Sequence, residues 1–173
     1  RFLGWAVEQK PLFYLDNNGN PVQVDSHVAN VRSDTQTPVG IVGSKYEVIQ
    51  HKSMLTDIEA LCGESGATVE TIGSIGGGRR VWVLLKLTET SNIKGDSLAR
   101  YIAVMSAHDG SLAYTIAPTS VRIACNNTLQ ATLQATGKSS EGKAIRTKHT
   151  RNASDAIQNA RKAIGASQVA FDQ

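Results

Sequence analysis

Alternating apolar and polar positions run through much of the chain and predict a protein rich in β-strands. Residues 12–15 and 22–24 flank Asn18-Gly19, a pair that supplies the positive φ angles of a hairpin turn. Residues 38–46 are apolar and punctuated by glycines, and Pro118 predicts a turn. Further strands are predicted over residues 27–32, 68–75, 81–87, 100–108 and 112–117, with a loop over residues 91–97.

Three segments follow the helical period instead. Met54, Ile58 and Leu61 share one face of a helix predicted over residues 51–62, and Gly63 is its expected end. Leu129 and Leu133 lie i, i+4 in a second helix over residues 128–136, and a third is predicted over residues 154–164. We therefore expect an α+β fold, an antiparallel β-sheet with helices packed on one face (a β-β-β-α core) and a C-terminal helical extension. The core domain is predicted over residues 1–137, and a basic linker with the C-terminal helix over residues 138–173.

Composition limits the class of protein. The chain has 173 residues, of which 40% are hydrophobic, enough for one domain with its own core. No apolar run approaches the roughly 20 residues that span a bilayer, and no signal peptide is visible, so we expect no membrane partner. Two isolated cysteines, Cys62 and Cys125, favour a reducing compartment and hence a cytoplasmic protein. Both are predicted to be buried thiols.

Charge is divided unevenly along the chain. Residues 1–75 hold five Lys/Arg against nine Asp/Glu, whereas residues 76–173 hold the other thirteen against six, which makes net charges of −4 and +7. Such asymmetry indicates a polyanion partner, of which nucleic acid is the commonest, although a solvated basic face would give the same count.

The glycine run at residues 76–78 leads into a strand rather than a helix, so it predicts a hairpin turn and not a phosphate-binding loop. By period two, Arg80, Trp82 and Lys86 share the strand face opposite Val81, Val83 and Leu85. With Arg79 they could hold a single strand, the cations on phosphates and Trp82 stacked on a base. The alternative is that Trp82 packs under a helix or against another subunit.

Two further basic sites follow. Arg122 precedes residues 126–128, which open the second predicted helix. It would either pair with an acid or hold a phosphate at the helix N-terminus. The densest basic segment, residues 143–151, contains no acid and is suited to a phosphate backbone. Its predicted nucleic-acid-binding residues are Lys143, Arg146, Lys148, His149 and Arg151.

No secure catalytic or metal motif is present. His108 and Asp109 are adjacent on a strand end and point to opposite faces, so Asp109-Gly110 is better interpreted as a tight turn. The four histidines are widely spaced, without the pattern of a metal site. We predict no catalytic residue, no metal and no cofactor. A site assembled in three dimensions from Asp34, His108, Asp109 and His149 remains the basis of an enzyme alternative.

Several motifs together resemble a known family. They are Trp5 with Pro11-Leu12, residues 32–34, residues 40–46, residues 78–82, His108-Asp109-Gly110-Ser111, residues 121–129, and Lys148-His149-Thr150 with lysine where arginine is usual. This series resembles the phage- and plasmid-like proteins, a family catalogued as a domain of unknown function. The order of elements is also similar to the single-strand annealing proteins of the Red-beta and Rad types, which form rings or filaments. That second resemblance is one of fold alone.

These observations predict an ATP-independent single-stranded DNA binding and annealing protein of phage or plasmid recombination, which acts without catalysis as a homo-oligomeric ring or filament. The alternatives are a metal-dependent nuclease or other nucleic-acid enzyme, and a non-enzymatic regulatory protein with a protein partner.

Overall fold

The computed structural model describes residues 3–93, 96–138 and 144–150. They form two antiparallel sheets and two helices, which confirms the predicted α+β class. The predicted C-terminal helix, Lys143 and Arg151 lie outside the described residues.

The first sheet has three strands in the order β1 (Val7–Leu15), β2 (Pro21–Arg32) and β3 (Pro38–Gly43). The predicted hairpin is confirmed between β1 and β2: the Asp16 carboxylate accepts the backbone N–H groups of Asn18 and Asn20 at 2.8 Å each, and Gly19 has φ 80°. The two strands predicted over residues 22–24 and 27–32 are one strand. It is interrupted by a bulge, because Leu12 pairs with Val24 and Pro11 with Val28.

The second sheet has five strands in chain order: β4 (Thr68–Ile75), β5 (Arg80–Ile93), β6 (Asp96–Ala107), β7 (Tyr114–Thr119) and β8 (Ile145–Thr147). A 3-10 turn at Gly76–Gly78 joins β4 to β5, so the predicted glycine hairpin turn is confirmed. The predicted loop over residues 91–97 is wrong, since β5 and β6 continue through most of it. Pro118 is also not a turn residue, because it lies within β7 opposite Ile102.

Strand β8 was not predicted. It pairs with β7 through Ile145 and Ile116, so this part of the segment predicted as a linker is a strand of the core sheet. The division of the chain at residue 138 stays a prediction.

The two helices lie against opposite faces of the second sheet, whereas the sequence predicted that both would pack on one face. Helix α1 (His51–Ser65) packs Met54, Ile58 and Leu61 onto one face. It ends at Ser65 with Gly66 as its C-cap, past the predicted stop at Gly63. Helix α2 (Asn126–Lys138) packs Leu129 and Leu133 onto the other face, which we call the α2-bearing face. Residues from the same strands supply both cores, Val81, Val83 and Leu85 towards α1 and Trp82 and Leu84 towards α2.

Both faces of the sheet are therefore buried over the central strands, and residues 81–85 are all buried in succession. Period two correctly predicted which residues share a face, but one of those faces is covered by a helix that the pattern of β5 does not show. Within the described ranges, no helix is long and apolar enough to cross a membrane.

Packing at Gly73 gives a direct test of this core. A Cβ at Gly73 would overlap the Trp82 indole. We expect Gly73→Ala to lower the free energy of unfolding by about 1–3 kcal/mol, the usual range for overpacking, in urea denaturation. Gly63→Ala is the control: nothing lies within 4 Å of its Cβ position in α1, so it should be neutral or stabilise by up to about 1 kcal/mol. Equal stability of the two variants would contradict this packing.

Candidate functional site

The α2-bearing face carries three of the predicted phosphate contacts. Arg80 lies two residues before the buried Trp82, and Lys86 pairs with Tyr101, which belongs to the core under α2. Arg146 pairs with Thr115, and Thr115 shares the face of Ala117 in that same core. Lys148 is exposed directly after the end of β8, outside the strand register. Strand register therefore places cations from β5 and from β8 on one face of the sheet.

These cations are spread over the face and do not form a single cluster. Arg80 lies near the turn after β6, where its Nε donates to the Ser111 hydroxyl at 3.1 Å. Lys86 lies six residues further along the same strand, roughly 20 Å away at the usual rise per residue. Arg79 is exposed in the turn that precedes β5.

Trp82 is not available for the base stacking that the sequence suggested. Its side chain is 5% exposed and packs with Leu84, Met105 and Leu129. The alternative, in which Trp82 packs under a helix, describes its position in this chain.

Arg122 forms an ion pair with an acid. Its Nε donates to the Glu70 carboxylate at 2.9 Å. The first turn of α2 beside it is closed by Thr128, whose hydroxyl accepts the Cys125 N–H at 3.0 Å and donates to the Cys125 carbonyl at 2.9 Å. Arg122 is exposed, and its ion pair with Glu70 reduces the positive charge that it could offer to a phosphate.

The described part of the basic segment alternates between solvent and core. Arg146 and Lys148 are exposed, whereas Thr147 and His149 are buried. His149 is held by residue 47, donating through Nδ1 to the Glu47 carbonyl at 3.1 Å, while the Glu47 N–H donates to the His149 carbonyl at 3.1 Å. In this position His149 is 7% exposed, so little of its side chain is available to a ligand, and its contact with nucleic acid stays a prediction.

Three of the four histidines form a buried group between the two sheets, which we call the histidine cluster: His51, His108 and His149. The Nε2 atoms of His51 and His108 lie 2.9 Å apart. The ring of His149 stacks on Tyr46 with centroids 4.5 Å apart. The Tyr46 hydroxyl in turn donates to the carbonyl of Ala107, next to His108, at 2.6 Å.

The hydrogen bonds assign a tautomer to each ring of the pair. His51 Nδ1 donates to the Trp5 carbonyl at 3.0 Å, so in a neutral ring its Nε2 accepts a hydrogen bond from His108 Nε2–H. His108 Nδ1 then carries a lone pair, and it is buried without a partner among the residues that the structure describes. The cluster is therefore arranged for neutral imidazoles.

Burial enforces the neutral state. His108 is 0% exposed, and burial, with the nearby His51 and His149, lowers its pKa to about 3. Burial also lowers the pKa of His51 and of His149, partly opposed by their hydrogen bonds to the carbonyls of Trp5 and Glu47 respectively.

Trp5 connects this cluster to the first sheet. Its indole meets His51 edge to face at 4.3 Å, and the Arg32 guanidinium lies 4.3 Å from its ring centroid. Arg32 also donates to both Asp34 carboxylate oxygens, at 2.9 and 2.7 Å, and to the Gly77 carbonyl at 2.9 Å. A Cβ at Gly78 would lie 2.7 Å from the indole, so this close approach needs glycine.

The residues of the enzyme alternative are occupied by structural contacts. The Asp34 carboxylate is paired with Arg32, and Asp109 Oδ1 accepts the Ser111 N–H at 2.9 Å in the predicted turn. His108 faces His51 in the core. Over residues 3–93, 96–138 and 144–150, no group of three or more His, Cys, Asp or Glu could hold a metal ion.

Both cysteines are free thiols. The predicted burial is partly confirmed for Cys62 and is wrong for Cys125. Cys62 is half-buried, and burial raises the pKa of its thiol. Cys125 is exposed, so the prediction of a buried thiol is wrong there. It precedes α2, and hydrogen bonds from Thr128 and Asn127 lower the pKa of its thiol.

His51, Trp5 and Tyr46 were not predicted as members of a site. A signal for His51 was present, because it falls on the same helical face as Met54, Ile58 and Leu61, and a histidine on an apolar face requires a partner. That partner could not be identified, since His108 is 57 residues away.

The fold and the site define an α+β protein of two antiparallel sheets, with a buried histidine cluster between them and a basic, helix-covered face on the larger sheet. A family model described as "Domain of unknown function (DUF932)" matches residues 38–173, and the chain belongs to this family. No curated protein and no solved structure matches the chain.

The histidine cluster predicts acid sensitivity. The pKa of folded His108, about 3, lies below its ordinary value of 6.5, so below pH 6.5 the unfolded chain binds more protons and stability should fall as the pH drops. Between pH 7 and 5, His108 alone should lower the free energy of unfolding by about 2 kcal/mol. Urea denaturation at the two pH values measures this loss.

Two variants make that comparison specific. His108→Gln should be less stable at both pH values but should lose less stability between them than the parent. His27→Gln, at an exposed position, should keep the parent's pH dependence. An identical loss in the His108 and His27 variants would contradict the neutral buried state of His108.

Proposed function

We propose that this protein binds single-stranded DNA on the α2-bearing face and anneals complementary strands without ATP, in phage or plasmid recombination. The observation that supports this most is the placement of Arg80, Lys86 and Arg146 on the same face. These residues come from strands widely separated in sequence, and the sheet register brings them to one side.

The charge of this part of the chain supports a polyanion partner. Within the described residues from 99 to 150, Asp109 is the one carboxylate, and it serves the turn before Ser111. Exposed cations such as Lys86 attract phosphates and release counterions on binding.

The burial of Trp82 changes the proposed mechanism. Because no base stacks on Trp82, contacts are made to the backbone by cations on the α2-bearing face, and the bases stay free to pair with a second strand. Annealing then requires alignment of two neutralised strands and no catalytic group. The proposal includes a cytoplasmic location and a homo-oligomer, either a ring or a filament, since one chain offers only a short site.

Matched lysine pairs test the binding face. Lys86→Ala/Lys148→Ala removes two exposed cations, one on the α2-bearing face and one directly after β8, and Lys45→Ala/Lys52→Ala removes two exposed cations elsewhere. In fluorescence anisotropy with a labelled single strand, we expect the first variant to bind more weakly than the parent, whatever the sequence of the strand. Its slope of log affinity against log salt should be smaller by about 1.4, at about 0.7 per phosphate contact.

The control pair should bind as the parent does. Equal losses from both pairs would mean that only net charge matters, and an unchanged first variant would remove the α2-bearing face from the proposal.

Annealing is tested separately, by the rate at which complementary strands pair in EDTA without ATP. We expect the parent to increase this rate and Lys86→Ala/Lys148→Ala to reduce the increase. Light scattering with and without DNA should give a mass above that of one chain. Strand cleavage that depends on an added divalent metal would instead favour the nuclease alternative.

A further inference from the structure

The end of the β1–β2 hairpin is a pair of strands without a third. Strand β3 pairs with β2 only between His27 and Val31, so no third strand among the described residues pairs with residues 12–24. A two-stranded hairpin is only marginally stable in water, and it gains stability when another element packs on it. We call residues 12–24 the hairpin end.

One face of the hairpin end carries an exposed apolar row. Phe13 is 55% exposed and Leu15 70% exposed, and alternation along β1 places both on the face of Pro11 and Gln9. Pro11 is exposed as well. We call Pro11, Phe13 and Leu15 the hairpin row, which is about 13 Å long. A contiguous apolar surface of this kind marks an interaction site. The other exposed large hydrophobics of the described residues lie singly, on another face or another element: Tyr14, Ile41, Leu55 and Val69.

The described part of the chain ends beside this row. The N–H of the peptide between Tyr46 and Glu47 donates to the His149 carbonyl at 3.1 Å, and the carbonyl of the same peptide accepts a hydrogen bond from the Gln9 side chain at 3.0 Å. A single peptide unit thus joins β1 to the residue before Thr150, where the description of the chain ends. The hairpin row begins two residues further along β1.

The sequence that follows has a clean amphipathic pattern. On the helix predicted over residues 154–164, the six polar residues fall on one side, and the apolar residues fall within about 120° of the other side at 100° per residue. These apolar residues form the apolar stripe: Ala156, Ile157, Ala160, Ala163 and Ile164. An isolated helix of this length is marginal in water, so its stability depends on a surface that the stripe can pack against.

The lengths of the two elements match. Residues 150 and 154 are four positions apart and can be separated by up to about 14 Å of extended chain. A helix over residues 154–164 is about 16 Å long, which is enough to cover the hairpin row. Because this segment is tethered beside the row, its effective concentration there is far higher than that of a separate partner.

We infer that residues 154–164 form a helix whose apolar stripe packs on the hairpin row of the same chain. The alanines of the stripe allow the helix to approach the strands closely, and Ile157 and Ile164 cover Phe13 and Leu15. The contact supplies the packing that β3 does not give to the hairpin end, and it places the C-terminal extension on the first sheet. This inference does not depend on DNA binding, and its tests contain no nucleic acid.

Limited proteolysis with trypsin tests the contact, because the two basic residues 161–162 lie inside the predicted helix. Mass spectrometry identifies cleavage at these two positions, which we expect to be slow in the 173-residue parent. Phe13→Ser/Leu15→Ser and Ile157→Ser/Ile164→Ser should each increase its rate at least about tenfold, since cleavage follows the population of the open segment. A variant with all four substitutions should be cleaved no faster than either pair, because both pairs remove the same contact.

The control is Ile41→Ser/Val69→Ser, which removes two exposed apolar side chains outside the hairpin end and should leave the cleavage rate unchanged. Circular dichroism checks that every variant is folded. Rapid cleavage of the parent would overturn the inference. So would a hairpin variant that is cleaved as slowly as the parent, because the helix would then pack elsewhere. Faster cleavage of the fourfold variant than of either pair would also overturn it, since the two pairs would then act at separate contacts.

A mixing experiment distinguishes the same chain from a second copy. The hairpin variant keeps an intact helix, and the helix variant keeps an intact hairpin row. In an equimolar mixture we expect both to be cleaved as rapidly as they are alone. Protection restored by mixing would overturn the inference, because the helix of one copy would then dock on the hairpin row of another.

Discussion

The relative position of the two sheets depends on the turn that follows β6. Its backbone is held from the first sheet by Asn30, which donates to the His108 carbonyl at 2.7 Å, and by Tyr46, which donates to the Ala107 carbonyl at 2.6 Å. The His108 N–H donates to the Arg79 carbonyl at 2.7 Å, which ties the same turn to the start of β5. A buried carbonyl left without a donor is costly, so these contacts hold one relative position of the sheets.

The position of Gly40 reinforces this junction. A Cβ there would lie 2.7 Å from the His108 carbonyl oxygen and would overlap the backbone of Asp109. Strand β3 can approach the turn only without a side chain at this point. The histidine cluster then occupies the space beneath, where His51 meets His108 and Trp5. The cluster forms a buried contact between α1, the first sheet and the second sheet.

The junction and both helices cover much of the second sheet, and residues 81–85 of β5 are all buried. The aromatic side chains are divided between core and surface: Trp5, Trp82, Tyr101 and Tyr114 are buried, while Phe13 and Tyr14 are exposed at the end of the β1–β2 hairpin, which has no lysine or arginine. Cations and exposed aromatics thus lie on separate surfaces.

Local chemistry was determined by the sequence alone. The turn at Asn18-Gly19, the glycine turn before β5, the Asp109-Gly110 turn and the apolar face of α1 each depend on neighbours within a few residues. The element that covers one face of a strand is not determined by neighbouring residues in this way. Period two grouped Arg80, Trp82 and Lys86, but only the tertiary structure decided that α2 covers Trp82. It also decided that residues 145–147 join β7 as a strand, and that His149 is buried while Lys148 is exposed. The pairing of His51 with His108 could not be predicted from neighbouring residues either, because a hydrogen bond across 57 residues exists only after both sheets are in place.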